Sequence, residues 1–428
     1  MVNKKYSLHK LSNGMRLVLA PNKSTKAVSI MIGYRVGSRN EDVSVNGMAH
    51  FVEHLMFKGS RKYPKPMDVS RALDGLGAES NAFTGKDMTA YYIKVAADKL
   101  EAALDILSDM LIYPKFNSRE IERERGVIIE ELNMYKDIPQ AIASDLIDKL
   151  IYQGHPLSRE IGGTKKTVSS ISRAGLIKFC KQYYITNNAV ISIAGNMDEA
   201  MVIKLCKKYF KEHNKRYFKD EVNRFVKKQV EARVRLYTKK TEQVYLTLGF
   251  PALADNDPRL STLKLLTIVL GGGMSSRLFV ELREKRGLCY SVNASIGTFE
   301  ETGDFLIRVG LDRGRINEAL KLVLKEVKRM KTSLVSQAEL DLAKDLIFGT
   351  TVLGLEHSEY VAEFYAKEVL FQESITTPEQ KLASIKKVTA SDIKLLANEL
   401  FIQNKLNLAV VSPIKSEKIE EFRELLKI

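Results

Sequence analysis

Cysteine is scarce in this chain, with three in 428 residues. Cys180, Cys206 and Cys289 are far apart, odd in number and not at metal-ligand spacing. That argues against a disulfide framework and a cysteine zinc cluster. It suits a reducing compartment, with the thiols acting as buried apolar residues. Long apolar runs are also lacking. None approaches the roughly 20 residues that cross a bilayer, so membrane insertion is not expected. Met1 to Lys10 carries charges but no apolar core, so it does not read as a secretion signal. A cytoplasmic location is the resulting expectation. Histidine is rare as well, with six in all, which makes any close pair of histidines informative.

Basic charge is plentiful: 67 Lys and Arg against 52 Asp and Glu, a net +15. Such a balance can serve nucleic acid or an anionic surface. Here the lysines are spread along the chain. The densest stretch, Lys204 to Lys240, interleaves them with Phe, Tyr, Val and Glu and reads as a helix end, a linker and an entry strand. Nucleic-acid binding is therefore not the expected function. At 428 residues and 45% hydrophobic, the chain is large enough for two or three domains with sizeable cores.

The most informative stretch is His50-Phe51-Val52-Glu53-His54. On a helix, residues i, i+3 and i+4 share a face, so the two imidazoles stack with the carboxylate beside them. Two neutral imidazoles can bind one metal ion, and a neighbouring carboxylate can take a proton from water. The order His-x-x-Glu-His is the inverse of the common zinc-protease order. Met48, Phe51, Val52, Leu55 and Met56 form the opposite, apolar stripe, and Gly59 is placed to end the helix.

A catalytic zinc site keeps three protein ligands, so a third should lie on a facing element. Asn117 to Tyr135 reads as a helix, with a capping-box-like start at Asn117 and Glu120 and a limit at Pro139. It carries Glu122, Glu124, Glu130 and Glu131. Glu124 and Glu131 share a face, and Glu130 points about 100° away. The residues alone leave Glu130 and Glu131 both open as ligand.

These residues resemble the inverted-zincin peptidases, the pitrilysin/insulinase family that includes the mitochondrial processing peptidase. Glu124-Arg125-Gly126-Val127-Ile128-Ile129-Glu130-Glu131 is similar to that family's distal-ligand helix. The resemblance implies one Zn2+ per chain held by His50, His54 and Glu131. It implies Glu53 as general base and Glu124 as an outer carboxylate orienting an imidazole. Gly77 to Thr84 followed by Thr89 to Tyr92 resembles the family's substrate-edge strand. This implies Asn81 and Ala82 as peptide contacts. Arg283 and Tyr290, seven residues apart, resemble the family's Arg/Tyr pair, which would stabilise the oxyanion; Arg286 is a competing choice with the wrong spacing. Gly271 to Leu278 resembles the family's glycine-rich loop and lacks the ending of a phosphate-binding loop. The implied function is zinc-dependent endopeptidase acting on peptides or leader-like segments. Family members enclose substrate in a chamber of four such halves, so the resemblance implies a homodimer. The alternative is a non-catalytic subunit of a processing-peptidase-like complex, which would be expected to have lost His50, Glu53 or His54.

The chain also repeats itself. Asn81-Ala82, Tyr91 to Ala96 and Ala103-Leu104 recur as Asn293-Ala294, Phe305 to Gly310 and Ala319-Leu320. Tyr184-Ile185 with Asn187 recurs as Phe401-Ile402 with Asn404. Ala27 to Ile32, Val190 to Ala194, Val244 to Leu248 and Leu406 to Val411 read as strands. The expected fold is α+β, with two homologous halves, each a mixed sheet with helices packed mainly on one face. The expected domains are 1–215, with the zinc site, and 230–428, with the Arg/Tyr pair and glycine-rich loop.

Overall fold

The computed structural model describes residues 5–216, 225–226, 228–414 and 419–426. Between the two expected domains, 1–215 and 230–428, residues 217–224 and 227 lie outside the described residues. In chain order the elements are β1 (Ser7–Lys10), β2 (Arg16–Pro21), β3 (Ala27–Tyr34), α1 (Met48–Met56), α2 (Pro66–Asp74), β4 (Glu79–Thr84), β5 (Thr89–Ala96), α3 (Leu100–Ile112), α4 (Ser118–Asp137), α5 (Pro139–Ile151), α6 (Lys165–Ser170), α7 (Arg173–Tyr183), β6 (Ala189–Gly195) and α8 (Glu199–Tyr209). They continue with β7 (Arg233–Thr238), β8 (Gln243–Ala252), α9 (Leu260–Gly271), β9 (Cys289–Thr298), β10 (Gly303–Asp312), α10 (Ile316–Thr332), α11 (Gln337–Leu355), α12 (Ser358–Phe371), α13 (Pro378–Lys387), α14 (Ala390–Leu400), β11 (Asn407–Ser412) and α15 (Ile419–Leu425).

The chain forms two compact units. One comprises Met1–Asn133, Arg159–Val222 and Val352–Thr376; the other comprises Met134–Ser158, Asn223–Thr351 and Thr377–Ile428. The fold is α+β, with one sheet in each unit. The units differ from the two chain halves by a pair of helices: α5 belongs to the second unit and α12 to the first.

The first unit holds a six-stranded sheet in the order β1-β2-β6-β3-β5-β4. β2 and β6 are parallel and the other pairs antiparallel. Alternation decides the two faces. Leu17, Leu19, Ile30, Ile32, Tyr91, Ile93, Ile191 and Ile193 point into the main core with α1, α3, α4, α7 and α8. Val18, Ala20, Met31, Ala90, Val190 and Ala194 point the other way, where Ala362, Tyr365, Ala366, Val369 and Leu370 of α12 cover them. β3 and β6 are buried on both faces, which is why they read as nearly unbroken apolar runs.

The second unit repeats this plan with five strands, β7-β11-β8-β10-β9. Its parallel pair, β7 and β11, matches β2 and β6. Val244, Leu246, Leu248, Phe250, Phe305, Ile307, Leu408 and Val410 face the main core with α9, α10, α11 and α14. Leu306, Ala409 and Val411 face α5. In each sheet a glycine admits the covering helix. A Cβ on Gly33 would come 3.0 Å from Leu370, and one on Gly249 would come 2.7 Å from Ile151.

Strand registers refine the internal repeat. Gly33 lies opposite Val190 and Ala90, and Gly249 lies opposite Asn407 and Leu306. With β6 and β11 matched as the sequence suggests, Ala90 rather than Tyr92 corresponds to Leu306. The slip is two residues, which leaves every side chain on its own face.

Candidate metal centre

Helix α1 begins at Gly47, whose φ of 99° is the left-handed conformation that glycine adopts without strain. Gly47 has no side chain to cap the helix, and Glu41 supplies the cap from six residues upstream. Its Oε2 accepts from Gly47 N at 2.8 Å and Asn46 Nδ2 at 2.7 Å, and its Oε1 accepts from Ala49 N at 2.7 Å. Burial pushes the Glu41 carboxyl up to about 7 against the pull of those donors. The helix then buries Met48, Phe51, Val52, Leu55 and Met56, as its apolar stripe predicts. His50, Glu53 and His54 remain half-buried on the opposite face.

Helix α4 meets this face. Asn117 accepts from Arg119 N at 2.9 Å, while Glu120 pairs with Arg123 instead of closing a capping box. Ile121 and Ile128 anchor the helix in the core, and Glu124 is buried between them. Glu131, nearly two turns beyond Glu124, joins the histidines. Glu131 Oε2 lies 3.7 Å from His50 Nε2 and 3.5 Å from His54 Nε2. The two Nε2 atoms are 3.3 Å apart. Glu122 pairs with Arg125 on the outer surface, and Glu130 is exposed. Among the described residues, His50, His54 and Glu131 form the one cluster of three or more His, Cys, Asp or Glu ligands arranged to hold a metal ion.

The donor set fits zinc. Bonds of about 2.0–2.1 Å in a tetrahedron place neighbouring donors about 3.3 Å apart, close to the observed separations. Two imidazole nitrogens and one carboxylate oxygen leave the fourth position open, as a catalytic site requires. Glu124 lies behind His54, with Oε2 3.3 Å from Nδ1, and Lys58 holds its other oxygen at 2.9 Å. That bond orients the ring with Nε2 toward the cluster.

The electrostatics follow from packing. Burial and the neighbouring His54 hold His50 down to about 4. Burial also opposes the charge on His54, but Glu124 and Glu131 outweigh it and raise that imidazole to about 9. The hydrogen bond with His54 keeps Glu131 below the ordinary carboxylate range. Burial works to raise Glu124, yet His54 and Lys58 hold it low. Glu53 is raised by burial, despite accepting a hydrogen bond from Thr84.

The remaining candidates divide between the units. Asn81 and Ala82 lie on β4, the edge strand of the first sheet, opposite Tyr92 and Tyr91. Ala82 N donates to Asn81 Oδ1 at 2.9 Å rather than into the sheet ladder. Arg283 and Tyr290 lie in the second unit. Arg283 Nη1 donates to Tyr290 O at 2.9 Å, its guanidinium sits 5.3 Å from the Tyr290 ring centroid, and Tyr290 is 74% exposed. Arg286 instead pairs with Glu281 at 2.6 Å. In the glycine-rich loop, Arg277 is buried against Glu339 at 2.7 Å, a structural ion pair. Sequence reasoning missed Glu41, Lys58 and Thr84 as contributors. Lys58 had a signal, four residues beyond His54 on the same face. Glu41 had none, since a loop carboxylate six residues before a helix follows no periodicity.

The chain is similar to known proteins over nearly its whole length. Residues 16–165 match the family described as Insulinase (Peptidase family M16), and residues 170–347 match Peptidase M16 inactive domain. An uncharacterized zinc protease of Streptomyces coelicolor is 33% identical over 97% of this chain and 91% of its own length. Another, from Bacillus subtilis, is 32% identical over 94% of this chain and 97% of its own. Among solved structures, a protease from Helicobacter pylori is similar with a TM-score of 0.90 and 26% identity, covering 96% of this chain and 99% of that one.

Proposed function

Because this chain belongs to the insulinase family, peptidase family M16, we propose that it is a zinc-dependent endopeptidase. The observation that carries this reading is the convergence of His50 Nε2, His54 Nε2 and Glu131 Oε2, with the Glu53 carboxylate on the same helical face. His50, His54 and Glu131 would hold one zinc ion, and Glu124 would keep His54 oriented. When bound, zinc would polarise the scissile carbonyl and make water acidic enough to attack near neutral pH. Glu53 takes the proton of the attacking water on its carboxylate and passes it to the leaving amine nitrogen. Burial around Glu53 suits this role, because it raises the carboxyl toward the working pH.

The substrate is a peptide laid beside β4. An open edge accepts an extended chain through main-chain hydrogen bonds with little demand on sequence. Asn81 now occupies the Ala82 amide; an incoming carbonyl would displace the carboxamide, which then serves the peptide itself. Arg283 and Tyr290 donate to the developing oxyanion. The chain carries both the ligand set and this pair, which supports a homodimer with two equivalent sites. The three free cysteines suit a reducing, cytoplasmic setting.

Cleavage of a mixed peptide library tests the reading. The protein stripped by a chelator should be inactive and zinc should restore it; unchanged cleavage without metal refutes the zinc mechanism. Mixed Glu53→Gln and Tyr290→Phe chains test the dimer. Each should be weak alone. After exchange, activity should return, up to about one site in four under random pairing. Heterodimers that form yet stay inactive would show that the pair does not act across chains.

A further inference from the structure

Among the described residues, the Glu53 carboxylate has one hydrogen-bond donor. The Thr84 hydroxyl donates to its Oε2 at 2.5 Å. Both side chains are half-buried. Thr84 is the last residue of β4, the strand whose open edge receives the peptide in the proposed reading.

The spacing between these two side chains is set by the backbone at both ends. Gly85 N donates to Met88 O at 2.7 Å, closing the hairpin turn after Thr84. The turn is fastened to the loop before α1: Ser38 N donates to Gly85 O at 3.1 Å and Arg39 N to Lys86 O at 2.9 Å. The loops touch backbone to backbone there, since a Cβ on Gly37 would come 2.4 Å from Gly85 O. Lys86 Nζ donates to Arg159 O, and Arg159 Nη1 donates to Glu41 O. Glu41 in turn caps α1. A connected set of hydrogen bonds therefore runs from the turn beside Thr84 to the first turn of the helix that carries Glu53.

A general base must present one oxygen in a set direction, because proton transfer falls off steeply with misalignment. A carboxylate on a two-carbon stem does not achieve this unaided. With Oε2 held by a hydroxyl, the plane of the group is fixed and Oε1 remains for the proton. We propose that Thr84 is a positioning residue for the Glu53 base, and that through it the peptide-receiving strand and the base are set by one element. This rests on the endopeptidase reading.

Thr84→Val removes the donor at nearly constant shape, and Thr84→Ser keeps it. In the zinc-loaded protein, Thr84→Val should lose roughly ten- to a hundredfold in kcat, as expected for a lost hydrogen bond to a charged group, with KM within about twofold. Its zinc content and urea midpoint should match those of the wild type, and Thr84→Ser should recover most of the rate. Crystal structures should show one Glu53 orientation in the wild type and a turned or divided carboxylate in Thr84→Val. Equal rates for wild type and Thr84→Val overturn the proposal alone, as does a Thr84→Ser protein as slow as Thr84→Val. An unmoved Glu53 in Thr84→Val also overturns it. A zinc-loaded wild type that cleaves nothing overturns the endopeptidase reading and the proposal with it.

Discussion

In each unit a helix lies against one edge strand of the sheet, α1 against β4 in the first and α9 against β9 in the second. α1 presents His50, Glu53 and His54 on its half-buried face. α9 buries Leu263, Leu265, Leu266, Val269 and Leu270 and has no histidine. The facing helices differ likewise. Counted from Ile121 on α4 and Leu340 on α11, both core anchors, Ala343 stands where α4 has Glu124, and Thr350 stands where it has Glu131. The second unit folds on the same plan without these polar groups. The fold therefore does not require them, and a buried carboxylate with two half-buried imidazoles costs stability unless it is paired. Residues that break the local rule without serving the fold are those to assign to chemistry.

Replacing the polar groups of α1 and α4 makes the first unit resemble the second. The largest effect is expected for Glu53→Gln. The amide keeps the shape and cannot accept a proton, so turnover should fall roughly a hundredfold or more while metal analysis still finds zinc. Near-normal turnover by the zinc-loaded variant would remove Glu53 from the role of base.

Next come the α4 carboxylates, measured by zinc retained after dialysis. Glu131→Gln should lose most of its metal. Glu124→Gln should weaken affinity by about 10- to 100-fold, as for an outer partner of a ligating histidine. Glu130→Gln should match the wild type. If Glu130→Gln empties the site and Glu131→Gln does not, the ligand lies one residue away from where the helix register puts it.

The second unit also has a buried acid where the first has none. Asp304 corresponds to the buried Met88 and accepts from Tyr152 Oη at 2.7 Å. Burial, with Asp148 adding to it, raises Asp304 from 3.8 to about 6. The folded state therefore binds this proton more tightly than the unfolded chain. The stability this contributes is complete below about pH 4 and is lost as pH rises through about 6, on the order of 2–3 kcal/mol. Asp304→Asn should gain on the wild type by about that amount between pH 4 and pH 8 in urea unfolding. A gap that does not change with pH would contradict this assignment.

The smallest effects concern the glycines under the covering helices. Gly249→Ala meets Ile151, Ile147 and Leu306 all within 2.9 Å and should cost about 1–3 kcal/mol. Gly33→Ala meets the flexible end of Met88 at 2.7 Å and Leu370 at 3.0 Å, so it should cost less. Thermal unfolding of the two variants side by side would show whether the two sheets bind their helices alike.

Much of this was legible from residues alone. The spacing of His50, Glu53 and His54 against an apolar stripe determined both the helix and its polar face, because 3.6-residue periodicity is a local property. The same periodicity put Glu124 and Glu131 on one face of α4, and the internal repeat announced two related sheets. Tertiary structure decided which sheet each helix covers. α5 and α12 show apolar residues suited to any sheet face, and only packing against Gly249 and Gly33 assigns α5 to the second unit and α12 to the first. It also decided the two-residue slip between β5 and β10, which alternation by itself permits. Finally, it brought Glu41 to the start of α1 and Thr84 to Glu53. These are contacts between segments whose relative placement depends on loop paths and long-range strand pairing, and no local pattern in the chain encodes such contacts.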